Sequence, residues 1–310
     1  MAGFIPLRIP SSDGVHSLDA RVYLPPEDVP VLGYFAVVHG MAEHIARYDR
    51  FLTDLAAHGY IAYGHDHVGH GHTVSDSAER GHIADKNGWR ILADDVAAVR
   101  SHVTAAYPAR VPYILMGHSM GSFVVRTASI LHTGPDALIC MGTGGPNPLS
   151  GIGLGVIRLV KALYGGKYRS PFLQKLLFGS YDRSFSGEGG DLWLSADSEN
   201  RLAYHADPLC GFPFSAAAIE DLVRLQRFAN SRRFFSGMGS TPVLLVSGKD
   251  DPVGDYGRGV TAVYRRLLTS GTPAEMRLFT GLRHEILNER AAYDEVAGAI
   301  LSFADRICRK

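Results

Sequence analysis

Cysteine is scarce in this chain, and neither sign of charge is in excess. The three cysteines, Cys140, Cys210 and Cys308, stand far apart and without metal-ligand spacing. A disulfide framework or a zinc ribbon is therefore excluded as the organising scaffold. Read as reduced thiols, they suit a cytoplasmic setting. Lysine plus arginine and aspartate plus glutamate number 31 each. That balance excludes a basic footprint for nucleic acid and any strong pull toward anionic membranes. Long apolar runs are missing too: no stretch of about 18 uncharged apolar residues exists, so no membrane-spanning helix is expected. The segment from Met1 to Arg8 lacks a basic region followed by a long apolar core, which argues against a signal peptide. No internal repeat or low-complexity tail is evident.

What is present is ordinary globular material: 310 residues, 46% hydrophobic and 20% charged. That length holds one large α/β domain with an insertion, or two small domains. Arg8-Ile9 and Leu18 to Leu24 flank turn residues and read as an opening antiparallel hairpin. Gly33 to Val38, Tyr60 to Tyr63, Pro112 to Met116 and Ala137 to Met141 read as buried strands. Ile45 to His58, and a stretch capped by Asn87 and reaching Tyr107, read as helices between them. The alternation resumes with a strand from Val243 to Ser247, a helix from Tyr256 to Thr269, a strand from Glu275 to Phe279 and a last helix from Glu289 to Ile307. Strands alternating with helices imply a mostly parallel, eight-stranded sheet covered on both faces. From about Thr143 to Ser236 the alternation breaks, apart from a helix-like run from Val156 to Leu163. The expected organisation is a core of 1–142 and 237–310 with an inserted helical cap at 143–236.

The richest signal is Gly117-His118-Ser119-Met120-Gly121, between the apolar strand ending at Met116 and the helix-like Ser122 to Ala128. A strand, a Gly-x-Ser-x-Gly turn and a helix in that order form the nucleophile elbow of an α/β-hydrolase. The glycines permit close approach of strand and helix, and the turn lifts the Ser119 hydroxyl clear of the sheet. In open parallel sheets the site lies at the C-terminal ends of the strands. After the strand at 243–247 come Asp250 and Asp251; after the strand at 275–279 comes His284. The order Ser119, Asp, His284 is that of the fold's triad. Of the adjacent aspartates Asp251 is favoured, because Pro252 fixes the turn after it. Asp250 is the alternative, and Asp255 a third candidate better suited to capping the next helix. His284 would take the Ser119 proton and return it to the leaving group. The oxyanion donors expected are the backbone N–H groups of Met41 and Met120.

His39-Gly40-Met41-Ala42-Glu43-His44, followed by Arg47-Tyr48, resembles the H-G-x-x-E-H-x-x-R-Y motif of monoacylglycerol lipase and lysophospholipase-like serine hydrolases. Asp66-His67-Val68-Gly69-His70-Gly71 resembles their D-x-x-G-H-G loop, and Gly117 to Gly121 their G-H-S-M-G elbow. The resemblance covers about 5–140 and 240–305 and leaves the cap unmatched. It implies an α/β-hydrolase fold and cleavage of acyl esters, with Asp251 and His284 at the family's acid and base positions.

The remaining candidates have blander readings beside them. His65, His67, His70 and His72 could suggest zinc, but one glycine-rich loop holding them all reads better as hydrogen-bonded turn, and neither metal nor cofactor is expected. Glu43 and His44 suit bracing the oxyanion loop. Gly40, His118, Asp207 and Phe212 are candidates for substrate contact, with packing or cap anchoring as the alternative. The 156–163 helix carries Arg158 and Lys161 beside apolar residues, which fits transient contact with a membrane or micelle surface, or simple coverage of the site. The expected substrate is a small-molecule or lipid ester, with no nucleic acid as partner. An aminopeptidase or amidase would need an acidic anchor for a substrate amine, and the cap offers Glu188, Asp191, Asp197, Glu199 and Asp207. A silent ligand-binding protein on the same fold is the rival from another class.

Overall fold

The computed structural model describes residues 3–187 and 190–309. Eight strands form one sheet in the order β1-β2-β4-β3-β5-β6-β7-β8. They are β1 (Ile5–Pro10), β2 (Ser17–Tyr23), β3 (Gly33–Val38), β4 (Tyr60–His65), β5 (Tyr113–His118), β6 (Ala137–Met141), β7 (Val243–Gly248) and β8 (Ala274–Phe279). Only β2 is reversed: it runs antiparallel to both of its neighbours, β1 and β4, and every pair from β4 to β8 is parallel.

The central strands are apolar throughout because both faces are covered. Along β3, Tyr34, Ala36 and Val38 enter one core while Phe35 and Val37 enter the other. β5 and β7 repeat that alternation. The first face carries α2 (Gly88–Ala106), α3 (Met120–Leu131), α7 (Ala216–Ala229) and α9 (Arg258–Thr269). The second carries α1 (Asp49–Ala57) and α10 (Tyr293–Cys308). The expected eight-stranded, mostly parallel sheet with helices on both faces is present.

Among the differences from the sequence reading are two helix starts and one cap, each with a local reason. Ile45–Tyr48 is a turn of 3-10 helix, and α1 begins only at Asp49. Asn87 precedes α2 in a left-handed conformation and makes no side-chain cap. The Asp221 carboxylate on α7 lies against the start of α2 instead, so close that a Cβ on Gly88 would come within 3.0 Å of it. The last helix starts at Tyr293 because Glu289 is diverted: its carboxylate accepts the Ala196 and Asp197 N–H groups.

Between β6 and β7 lie α4 (Ser150–Tyr164), α5 (Pro171–Phe178), a 3-10 turn at Tyr181–Ser184, α6 (Ser198–Ala206), α7 and α8 (Arg232–Gly237). These residues are not one layer. α7 packs on α2 and α3 and buries Ile219, Val223 and Leu225 in the sheet-facing core. α8 adds Phe234 and Phe235 to the same core. The part before α7 lines the cavity at Ser119 together with Leu222, Val223 and Gln226 of α7.

Candidate active site

Ser119 sits at the end of β5 with φ 52° and ψ −119°, a conformation that non-glycine residues avoid. Such strain costs on the order of 1–3 kcal/mol and persists only where the surroundings enforce it. The enforcement is visible: Ser119 N–H donates to the Met141 carbonyl at 2.9 Å, and Ser122 N–H closes the turn on the Ser119 carbonyl at 2.9 Å. A Cβ at Gly117 would come within 3.0 Å of Gly121 backbone, and one at Gly121 within 3.0 Å of Val38 backbone. Both elbow glycines are thus required by close approach.

His284 follows β8 and is buried. Its Nδ1 meets Asp251 Oδ2 at 2.9 Å. Asp251 is fully buried; its Oδ1 accepts the Val253 N–H at 2.8 Å. Asp250 is half-buried, and its backbone N–H holds the Leu282 carbonyl at 3.0 Å. Asp255 pairs with Arg258 at 2.7 Å, while Gly257 occupies the cap position of α9. The His284 ring lies between two others: Trp193 at 5.0 Å and His118 at 4.7 Å between ring centroids. Gly142, at φ +58°, leaves room for them, since a Cβ there would stand 3.2 Å from both histidine rings.

The loop after β3 is built around a buried carboxylate. Glu43 Oε1 accepts the Gly40 N–H at 2.6 Å and the Tyr48 hydroxyl at 2.9 Å, and meets His118 Nδ1 at 2.9 Å. Burial pushes the Glu43 carboxyl up, but His118 and Arg47 outweigh it and hold the group at about 2. Burial pulls His118 down, and the Glu43 carboxylate more than reverses that. Both His118 ring nitrogens face acceptors, Nδ1 the Glu43 carboxylate and Nε2 the His284 carbonyl. Arg47 also forks onto Glu285, which Asn200 reaches at 2.7 Å. This arrangement fixes the turn through Met41 and Ala42, the latter at φ 54°. The Met41 N–H has no protein acceptor among the described residues. Met120 opens α3, so its N–H has no preceding turn to pair with.

A cavity of about 930 Å³ joins these groups; Ser119, His284, His118, Met41 and Met120 all line it. Its apolar wall includes Phe123, Leu177, Phe178, Trp193, Leu222 and Val223. Phe212 lines it as well, but Gly40 and Asp207 do not. The Gly40 N–H is committed to Glu43, and a Cβ there would stand 3.1 Å from Ser119 Cβ. Asp207 instead binds His44 Nε2 at 2.8 Å and so ties the segment after α6 to the loop after β3.

His65, His67 and His70 are buried together with His39, at ring separations of 4.3–5.9 Å, whereas His72 is exposed. His39 Nδ1 donates to the Gly40 carbonyl at 2.8 Å while its Nε2 accepts the His67 N–H at 3.0 Å, so this ring is neutral. Trp193, Gly142 and the Arg47–Glu285 pair were not singled out from sequence. Only Glu285, next to His284, carried a local hint.

This layered sheet, with its strained serine at the end of β5, defines an α/β-hydrolase of the lipase and esterase type. The chain belongs to the Hydrolase_4 family, described as serine aminopeptidase, S33, whose profile matches residues 30–291. It is 26% identical over 285 residues to a monoacylglycerol lipase of Mycolicibacterium smegmatis, covering 89% of this chain and 90% of that protein. It is likewise 26% identical over 273 residues to a monoglyceride lipase homolog of monkeypox virus, covering 86% and 85%. Among solved structures, a thermostable carboxyl esterase from Bacillus coagulans, in complex with glycerol, superposes with a TM-score of 0.92 at 30% identity, covering 99% of this chain and 100% of that one.

Proposed function

We propose that the protein hydrolyses carboxylic esters of the monoacylglycerol or lysophospholipid kind through an acyl-enzyme. Ser119 would attack the ester carbonyl, His284 would carry the proton to the leaving group, and Asp251 would hold the imidazole tautomer. The Met41 and Met120 N–H groups would receive the tetrahedral oxyanion, each such donor supplying about 2.7–4 kcal/mol. Water is the second substrate, and no cofactor takes part. The observation carrying this reading is the buried Asp251–His284 pair opening onto the same apolar cavity as the strained Ser119. A cavity of that size accommodates an acyl chain, and the part of the insertion before α7 supplies much of its wall.

His118 acts in this reading by positioning: its Nε2 lies 3.3 Å from the His284 carbonyl. Phe212 would contact the acyl group. The exposed Ile152, Leu159 and Leu163 on α4, with Phe172 and Leu176 on α5, support transient contact with a micelle or membrane surface. Arg158 and Lys161 are engaged by Glu220, so that contact would rest on apolar side chains. No helix among the described residues is long and apolar enough to cross a membrane; with three free cysteines this favours cytoplasmic residence.

The family's own description motivates a second reading, aminopeptidase. Asp182 and Asp191 line the cavity, but the Trp193 backbone N–H occupies the first at 2.9 Å and its indole N–H the second at 3.2 Å. Asp197 and Glu199 bind Arg290, and Asp207 binds His44. Glu188 lies outside the described residues. The acids described thus have partners already, which favours esters. The test is hydrolysis of a p-nitrophenyl acyl series from C2 to C16 beside an aminoacyl anilide, with Ser119→Ala as control. Ester turnover lost in Ser119→Ala supports the proposal. Anilide turnover alone supports the aminopeptidase. No turnover, with no labelling by a fluorophosphonate, would move the protein to ligand binding.

A further inference from the structure

We propose that His44, Asp207 and Cys210 bind a borderline-soft divalent metal ion of the Zn²⁺ or Co²⁺ kind, and that the bound ion inhibits the enzyme by displacing the loop after β3. One donor atom from each residue lies within 4.8 Å of the other two, and no other such trio of histidine, cysteine or carboxylate groups occurs among the described residues. An imidazole nitrogen, a carboxylate oxygen and a sulfur suit zinc-like ions and leave a fourth position for water. His44 is buried, and its Nδ1 has no hydrogen-bond partner while its Nε2 faces Asp207. The charge environment permits a cation: the nearby Arg47 is itself neutralised by Glu285 and Glu43.

The location gives the ion its consequence. His44 lies three residues beyond Met41, whereas Asp207 and Cys210 lie on the segment after α6. That segment is stitched to the same loop, since Gly211 N–H donates to the Ala42 carbonyl at 3.0 Å and the Tyr204 hydroxyl donates to it at 3.1 Å. Metal–ligand distances of about 2.0–2.3 Å place tetrahedral donors roughly 3.5 Å apart. The His44 and Asp207 donors stand 2.8 Å apart, so ligation must open that pair and seat the Cys210 sulfur beside it. Such a rearrangement would be passed to Ala42, next to Met41, through the Gly211 and Tyr204 bonds, and a 1 Å misplacement of a catalytic group costs on the order of 100-fold in rate. The inhibition rests on the proposed ester-hydrolase reading; the binding does not.

The two are tested separately. Metal-free full-length protein is titrated with CoCl2, reading the thiolate-to-cobalt absorption in the near ultraviolet. One equivalent should bind, displaceable by ZnCl2, and the absorption should vanish in Cys210→Ser but persist in Cys308→Ser. Asp207→Asn should weaken cobalt binding at least tenfold, which keeps the test open if Cys210→Ser does not fold. In the ester assay, ZnCl2 should lower kcat of the wild type 10- to 100-fold with KM little changed, and Cys210→Ser should keep its turnover and resist zinc. Absence of the cobalt absorption, or its survival in Cys210→Ser, overturns the site. Equal zinc inhibition of wild type and Cys210→Ser overturns the inhibitory mechanism.

Discussion

Replacing Asp251 by asparagine tests the proposed site most sharply, because the change alters one terminal group and leaves the volume alone. The carboxylate serves three neighbours: Oδ1 takes the Val253 N–H at 2.8 Å, and Oδ2 faces His284 Nδ1 at 2.9 Å and the Ser247 hydroxyl at 3.4 Å. In Asp251→Asn the Val253 N–H claims the remaining oxygen, since an amide nitrogen there would set donor against donor. The amide nitrogen is then forced toward His284. It can only donate, so Nδ1 must accept, and the ring proton moves to Nε2. That is the nitrogen that should take the Ser119 proton, and a protonated Nε2 cannot. The expected loss is about 10⁴-fold in kcat, or about 5.4 kcal/mol of transition-state stabilisation. The fold should survive, because the asparagine keeps the Val253 bond and gains one to His284, while the Ser247 hydroxyl retains the Gly248 carbonyl at 3.2 Å. Asp250→Asn is the control, with no side-chain contact to His284, and should turn over esters near the wild-type rate. The assay is kcat and KM on the best p-nitrophenyl ester, beside thermal unfolding and the rate of fluorophosphonate labelling. If Asp251→Asn keeps more than a tenth of wild-type kcat, or Asp250→Asn falls as far, the assignment of the acid is wrong.

Other perturbations probe the surroundings. Burial holds His65 and His70 down to about 4 from an ordinary 6.5. The unfolded chain thus binds protons below 6.5 that the folded one refuses until about 4, so stability should fall as pH drops through that window, by up to about 1.4 kcal/mol per pH unit for each histidine. Thermal unfolding from pH 7 to 4 should show this, and an identical pH slope in His65→Gln would refute it. Arg47→Met leaves Glu285, 2% exposed, without its cation; denaturant unfolding should report a loss of about 3–5 kcal/mol, partly recovered by adding Glu285→Gln, and a loss below about 1 kcal/mol would contradict the burial argument. Gly142→Ala should lower kcat more than it lowers Tm, because its Cβ would press on the His118 and His284 rings; unchanged kcat would show that the rings have slack.

The core was legible because its signals are local. A fully apolar strand such as Gly33–Val38 can only lie in a doubly covered sheet, and the two glycines flanking Ser119 announce a close crossing of backbones. The order of serine, acid and histidine then followed from where strands end. The insertion resisted reading for the opposite reason. Its helices are short or exposed, as in α6, which buries no residue fully, so their periodicity says little about what they face. α7 has a strong helical pattern, but no strand separates it from α6, and sequence alone cannot say that it rejoins the sheet. Asp221 against the start of α2 joins residues far apart in the chain, and Arg47 meets Glu285 across 238 positions. Pairings of that separation leave no mark in any short window.

The insertion divides mechanically into two parts. Its later part is bonded to both loops that carry the proposed chemistry. His284 and Glu285 N–H groups both donate to the Leu194 carbonyl, at 3.1 and 2.8 Å, Arg283 donates to the Leu192 and Ser195 carbonyls, and residues 204–211 hold the loop after β3. These bonds would have to break for residues 191–211 to move, and breaking them would release His284 and Met41 together. The earlier part, α4 and α5, presents Leu159, Leu163, Phe172 and Leu176 to solvent. Movement of α4 and α5 would break other bonds, those of Arg158 and Lys161 to Glu220 and of Gln174 to the Phe214 carbonyl, and would leave residues 191–211 in place. Substitutions in α5 should then act chiefly on KM, and those at 192–196 chiefly on kcat, because only the latter segment shares hydrogen bonds with the groups proposed to move protons.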